Sequence, residues 1–220
     1  MRKLPAKLAS KLYDAAELIA ERGLDGTKID DIAEATGIPK ATIYYHLDGK
    51  NGVLLFLMGD LLDMVAGAVG VAVSEPENAR TRLEGAVVAQ LGVMLEHPFL
   101  CRALIGDLGR VTRLPELAPA IHATFFEPIE QLLEEGVADG SLRQVADPGT
   151  VAMSIFGAIT IAGLSVAVEG PLDDPAAHAA RLGAAISELI LDGLATHPDE
   201  ALRRPVGVPG TAARGGGRTR

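Results

Sequence analysis

The 220 residues are 48% hydrophobic with a single cysteine, enough apolar content for a packed core, while the lone Cys101 excludes an internal disulfide framework. Aromatics are only 4% with no Trp, and Ala, Leu and Gly abound while β-branched runs are short, so an all-α fold is expected; no long apolar stretch opens the chain as a secretory signal would, so a cytoplasmic location is expected. The formal charge of −9 is uneven: residues 1–50 carry eight basic and eight acidic side chains, residues 51–198 seven against nineteen, and residues 199–220 five against two, so acidity excludes only the middle of the chain from contact with phosphates.

In chain order, Leu8, Leu12, Ala15 and Ile19 fall at i, i+4, i+7 and i+11 and lay one apolar stripe on a first helix, which opens near Pro5 and stops at Gly23. Thr27 followed by Asp30 resembles a capping box for a second helix of about two turns, with Ile29, Ile32 and Ala33 inward and Gly37 at its end. Pro39 opens a third helix whose Ile43 and Leu47 share the inner face. A fourth helix continues through Leu54, Leu57, Leu61 and Met64 to the Glu75-Pro76-Glu77 break. Five more segments are expected over 79–96, 99–110, 115–138, 148–169 and 175–196, punctuated by Pro98, Pro115, Gly140, Pro148, Gly170 and Pro175. From residue 199 the chain is rich in Gly, Pro and Arg without periodicity, and a disordered tail is expected. The expected division is therefore 1–50, 51–198 and 199–220.

Residues 148–168 carry no charge and are long enough to span a bilayer. Their flanks are acidic (Asp147, Glu169, Asp173, Asp174) where a span wants Lys or Arg, and no second span accompanies them, so no membrane is expected. The small residues Gly157, Ala158, Ala162 and Gly163 suit close helix packing instead. With Leu182, Ile186, Leu189 and Gly193 of the next helix, two helices from each subunit would form a four-helix dimer interface, or both simply complete a monomeric core.

Ala33 lies four residues before Gly37 and Ile43 six after it. A small residue there allows close crossing, Gly permits a left-handed turn, and Ile anchors the following helix, which is the helix-turn-helix arrangement. On the third helix, Ala41 and Tyr45 point away from the Ile43/Leu47 face, flanked by Thr42 and Tyr44, with Lys40 and Lys50 at either end. Two outward tyrosines are costly unless they touch something, and this set suits base edges, thymine methyls and phosphates. No Gly-rich phosphate loop, metal-spaced His pair or nucleophile elbow occurs, and His97 and Cys101 are interrupted by Pro98. No enzyme, metal or cofactor is expected.

The stretch Gly37-Ile-Pro-Lys-Ala-Thr-Ile-Tyr-Tyr-His-Leu-Asp-Gly-Lys50, preceded by Asp31-Ile-Ala33, resembles the TetR family of repressors over roughly residues 5–60. The resemblance implies an all-α homodimer with a three-helix N-terminal helix-turn-helix domain and a larger helical ligand-binding and dimerisation domain. The third helix would enter the major groove of a palindromic double-stranded DNA operator, which a small-molecule inducer releases. By position, Thr27 and Lys28 would meet phosphate, Lys40, Ala41, Thr42 and Tyr45 would face bases, and Tyr44, His46 and Lys50 would hold the backbone. Asp30 departs from the family pattern, as do Leu47 and Asp48-Gly49, which implies a weaker phosphate grip. The inducer, mainly apolar, is expected among Phe99, Leu104, Leu108, Phe125, Phe126, Met153 and Phe156, with His122 and Thr160 as polar anchors. The alternative is a helical ligand-sensing or scaffold protein that acts through protein contacts without specific DNA binding.

Overall fold

The computed structural model of the chain describes residues 4–106, 117–170 and 172–194. Regular structure among them is entirely helical. The order is α1 (Ala6–Leu12), α2 (Asp14–Gly26), α3 (Ile29–Thr36), α4 (Lys40–Leu47), α5 (Lys50–Val73), α6 (Ala79–Glu96), α7 (Pro98–Gly106), α8 (Ala118–Ile121), a π-helical turn (His122–Phe126), α9 (Glu127–Asp139), α10 (Pro148–Glu169) and α11 (Pro175–Leu194). The expected helix ends at 107–110, 115–116 and 195–196, and the tail from 199, lie outside the described residues.

Tyr13 between α1 and α2 keeps helical angles (φ −62°, ψ −28°), so the two read as one stripe, which Gly23 interrupts at φ 67°, ψ 162°. Helix α6 is the hub, packed against α5, α7, α9, α10 and α11. Its start is tied down from two sides: Asn78 Oδ1 accepts the Thr81 N–H at 3.0 Å and Asp139 Oδ2 accepts the Ala79 N–H at 2.8 Å. These carboxyl and amide oxygens occupy two of the donors that a helix leaves unpaired at its N-terminus. Helix α2 packs on α5 and α7, so the buried core runs without a break from Leu12 to Leu191.

Among the described residues two helices, α5 and α10, are long and apolar enough to cross a membrane by composition, so residues 148–168 do not stand alone in this, contrary to the expectation from the sequence. Helix α5 turns Leu54, Leu57, Met58, Leu61 and Val65 into the core. Helix α10 leaves Met153, Ile161 and Val168 more than 60% exposed, and α11 leaves Leu189 82% exposed. An apolar face of this kind on a globular chain asks for a partner surface. Ile186, expected from the sequence among the dimer contacts, is 9% exposed and packed in the chain's own core; Leu189, three residues on, stands just outside the face of α11 that is turned inward.

Candidate functional site

Helix α3 ends where Gly37 takes the left-handed conformation (φ 62°, ψ 23°), open to glycine at no steric cost. Thr36 stiffens the turn: its hydroxyl donates to the Ile32 carbonyl at 2.7 Å and accepts the Ile38 N–H at 3.2 Å. Ile38 is thereby buried, and Pro39 opens α4. With Ile43 and Leu47 buried on the inner side of α4, Tyr44 and Tyr45 stand 55% and 66% exposed, and Ala41 is exposed beside them. Thr42 and His46 are half-buried, the His46 ring edge-on to Tyr45 with centroids 4.9 Å apart.

The start of α3 differs from the sequence reading. Thr27 is fully buried; its hydroxyl donates to the Gly23 carbonyl at 2.7 Å and its N–H to the Leu24 carbonyl at 3.3 Å. It therefore neither caps α3 nor presents a side chain to phosphate. The cap is one residue later on both sides: the Lys28 N–H donates to Asp31 Oδ2 at 3.0 Å. Asp30, released from that role, pairs with Lys40 across the turn, and both side chains are more than half exposed. Such a pair is worth at most about 1 kcal/mol and opens readily for a stronger partner. Lys28 is exposed.

Lys50 is also not placed as expected. Its ammonium donates to the carbonyls of Leu24 at 2.7 Å, Thr27 at 3.1 Å and Asp25 at 3.4 Å. An ammonium has three protons, so this one is fully spent on the end of α2 and the approach to α3. Lys50 is the first residue of α5, and it locks that helix to the helix-turn-helix rather than reaching toward phosphate.

A second feature lies between α5, α6, α7, the π-helical turn and α10: a narrow apolar cavity of about 30 Å³, lined among the described residues by Leu61, Val65, Gln90, Met94, Cys101, Ile105, Phe125, Phe156 and Thr160. Gly163 lets Met94 reach this wall, since a Cβ there would come 2.7 Å from the Met94 methyl. Phe125 and Phe156 are 4.8 Å apart between ring centroids, and Phe126 backs Phe156 at 5.3 Å. The remaining expected ligand residues lie elsewhere. Met153 and His122 are exposed, the latter 5.8 Å from the Phe126 ring. Phe99 lies in a separate cleft of about 150 Å³ with Tyr13 and Ala16, the Arg102 guanidinium 6.0 Å from its ring centroid. Only the backbone of Leu104 is described, and Leu108 lies outside the described residues.

The pocket is expected from the sequence between the fourth helix and the segments near 100–110, 115–138 and 148–168, but α6 and the lining residues Leu61, Val65, Cys101 and Ile105 are not among the residues expected, because they carry the ordinary core period. Gln90 was the available signal: it lies three residues after Val87 and four before Met94, a polar side chain on the buried stripe, and it is 5% exposed. A larger depression of about 820 Å³ between α5, α6 and α11 is an open groove of alanines with a charged rim, Arg80, Glu84 and Asp192. It is the more open of the two and would cover less of a bound molecule's surface. Among the described residues, no three His, Cys, Asp or Glu side chains gather as metal ligands would.

Burial pushes the Cys101 thiol up to about 12. Since the thiolate is the reactive form, Cys101 is expected to resist iodoacetamide at about pH 8 in the native protein and to be alkylated in denaturant. Mass spectrometry decides this; rapid native labelling would show that the cavity wall opens on its own.

A family model described as bacterial regulatory proteins, tetR family, matches residues 12–56. The HTH-type transcriptional repressor KstR2 of Rhodococcus jostii (strain RHA1) is 32% identical over 140 residues, which are 60% of this chain and 66% of that protein. Among solved structures, the ketosteroid transcriptional regulator KstR2 of Mycobacterium tuberculosis superposes with a TM-score of 0.72 at 22% identity, over 89% of this chain and 98% of that one. AibR, in complex with isovaleryl coenzyme A and operator DNA, superposes with a TM-score of 0.66 at 22% identity, over 84% and 98%.

Proposed function

Because the chain belongs to the TetR family of bacterial regulatory proteins, we propose that it is a homodimeric repressor that holds a palindromic operator through α4 and releases it when a small apolar molecule binds among α5, α6, α7 and α10. The carrying observation is the outer face of α4, where the Gly37 turn leaves Ala41, Tyr44 and Tyr45 exposed together opposite the buried Ile43 and Leu47. An α-helix with that face outward fits the major groove, and its aromatic and methyl groups suit thymine and base edges. Ala41, Thr42 and Tyr45 read bases; Lys28, Tyr44 and, once freed from Asp30, Lys40 meet the backbone. Residues 51–198 supply the effector site and the dimer face. A fold of this shape accommodates both an acyl ligand and DNA in the AibR complex. The protein acts in the cytoplasm and by binding, without catalysis.

The test is fluorescence anisotropy with the DNA upstream of the chain's own gene. Tyr45→Ala is expected to lower operator affinity by about 1 to 3 kcal/mol while leaving binding to unrelated DNA almost unchanged. Equal losses on both DNAs would remove Tyr45 from base reading, and no operator binding by the unmutated protein would overturn the proposed function.

A further inference from the structure

At about 30 Å³ the cavity among the described residues has the volume of one water molecule, an order of magnitude below what a ligand of drug size needs. Some part of its wall must therefore move for it to receive anything. Among the described residues, those that line it stand on packed α-helices, apart from Phe125 on the π-helical turn. In that turn the Glu127 N–H donates to the His122 carbonyl, five residues back. The cause is local: Pro128 has no N–H, and its ring would strike the carbonyl of Thr124, four residues before it, so the α register is blocked and the turn widens by one residue. The widened turn puts Thr124 and Phe125 inward at 7% exposure each and sets the Phe125 ring against Phe156.

We infer that Phe125 on this π-helical turn is the gate of the effector site, and that the effector's buried part is apolar and neutral apart from one carbonyl, hydroxyl or amide group taken by Gln90 and Thr160; this rests on the reading of the chain as a ligand-responsive repressor. Return of the turn to the α register removes the extra residue and rotates the side chains on one side of it by roughly 100° relative to those on the other, which carries Phe125 off the cavity. The polar requirement follows from the lining. Gln90 offers both a donor and an acceptor and Thr160 a hydroxyl, while none of the described residues that line the cavity is charged, so an ionised group among them would be buried without a counter-charge from these side chains. Binding then includes the cost of opening: apparent affinity equals intrinsic affinity scaled by the fraction of molecules already open.

The experiment titrates the full-length protein with the neutral apolar fluorophore N-phenylnaphthylamine. Phe125→Ala removes the gate and is expected to tighten probe binding about tenfold over the unmutated chain. Pro128→Ala restores the missing N–H and removes the pyrrolidine ring while keeping the Phe125 side chain, and is expected to shift affinity in the same direction by a smaller factor. Phe99→Ala, a ring deletion in the other cleft, is expected to change it by less than about twofold. Phe125→Ala and Pro128→Ala proteins with native helical circular dichroism and no gain in probe affinity would overturn the gate, as would an equal gain in Phe99→Ala. If Phe125→Ala does not fold, Pro128→Ala decides alone, since it removes no buried ring. Operator binding by the unmutated chain is measured separately, so failure of the repressor reading is seen there and failure of the gate in the probe titration.

Discussion

Leu189→Glu is expected to convert the protein to a monomer and to lower operator affinity by about two to four orders of magnitude, the advantage that two linked binding units hold over one. Leu189 is 82% exposed on α11, and with Ile161 and Val168 of α10, at 64% and 62%, it provides the apolar surface from which a helical dimer interface is built. A carboxylate there would be solvated in the single chain but desolvated between two, so the cost falls on association and not on folding. Ile186→Glu differs in kind. That side chain is packed in the chain's own core, and a charge there should unfold α11 from α6 as well as dissociate the dimer. Light scattering and thermal unfolding separate the two. A Leu189→Glu protein that remains dimeric, or an unmutated protein that is monomeric at micromolar concentration, would refute the assignment of this face.

Lys50→Ala is expected to weaken operator binding at every salt concentration and to lower stability by about 1 to 2 kcal/mol, because three carbonyls lose a charged donor. The slope of log affinity against log salt should not change. A lysine that neutralises a phosphate contributes close to one unit to that slope, so the slope tells a clamp from a DNA contact. Lys50→Arg should restore only part of the loss, since a planar guanidinium fork cannot converge on three carbonyls as a compact ammonium does. A slope reduced by about one unit with unchanged thermal stability would return Lys50 to the phosphate backbone. The clamp also gives α5 a means of moving the reader. A tilt of α5 pulls on the end of α2 and the start of α3 together, so α4 turns with them, and the two readers of a dimer lose their match to successive grooves.

Much of this architecture is written in local chemistry. The apolar stripe from Leu8 to Ile19, the stop at Gly23, the left-handed Gly37, the Pro39 opening and the Pro98, Pro148 and Pro175 starts each act over one or two turns, and the helices form where those signals stand. The outward face of α4 follows from the same period once Ile43 and Leu47 are assigned inward. The cap of α3 is where local chemistry misleads. Thr27 has the side chain of an N-cap and Lys28 has not, but Thr27 is buried with its hydroxyl on the Gly23 carbonyl, which leaves the Lys28 N–H to Asp31. The 115–138 segment is expected as one helix, but Pro128 within it breaks the register of the residues before it, and a π-helical turn stands there.

The amino-acid sequence determined the helical class, the helix-turn-helix and the side of α4 that faces out, because helix period, caps and turns depend on residues within a few positions of one another. Tertiary structure alone decided the rest. The Lys50 ammonium meets carbonyls 23 to 26 residues earlier in the chain, and a sequence read locally shows only a basic residue at the foot of a recognition helix. The cavity joins α5, α6, α7, the π-helical turn and α10, whose apolar residues carry the same period whether they close on a neighbour or leave space. Helix α10 is apolar around most of its circumference, and on α11 Ile186 and Leu189 fall on one apolar stripe, so the sequence could not say that Ile186 turns inward while Leu189 and Ile161 stay exposed; that depends on where α6 lies against them.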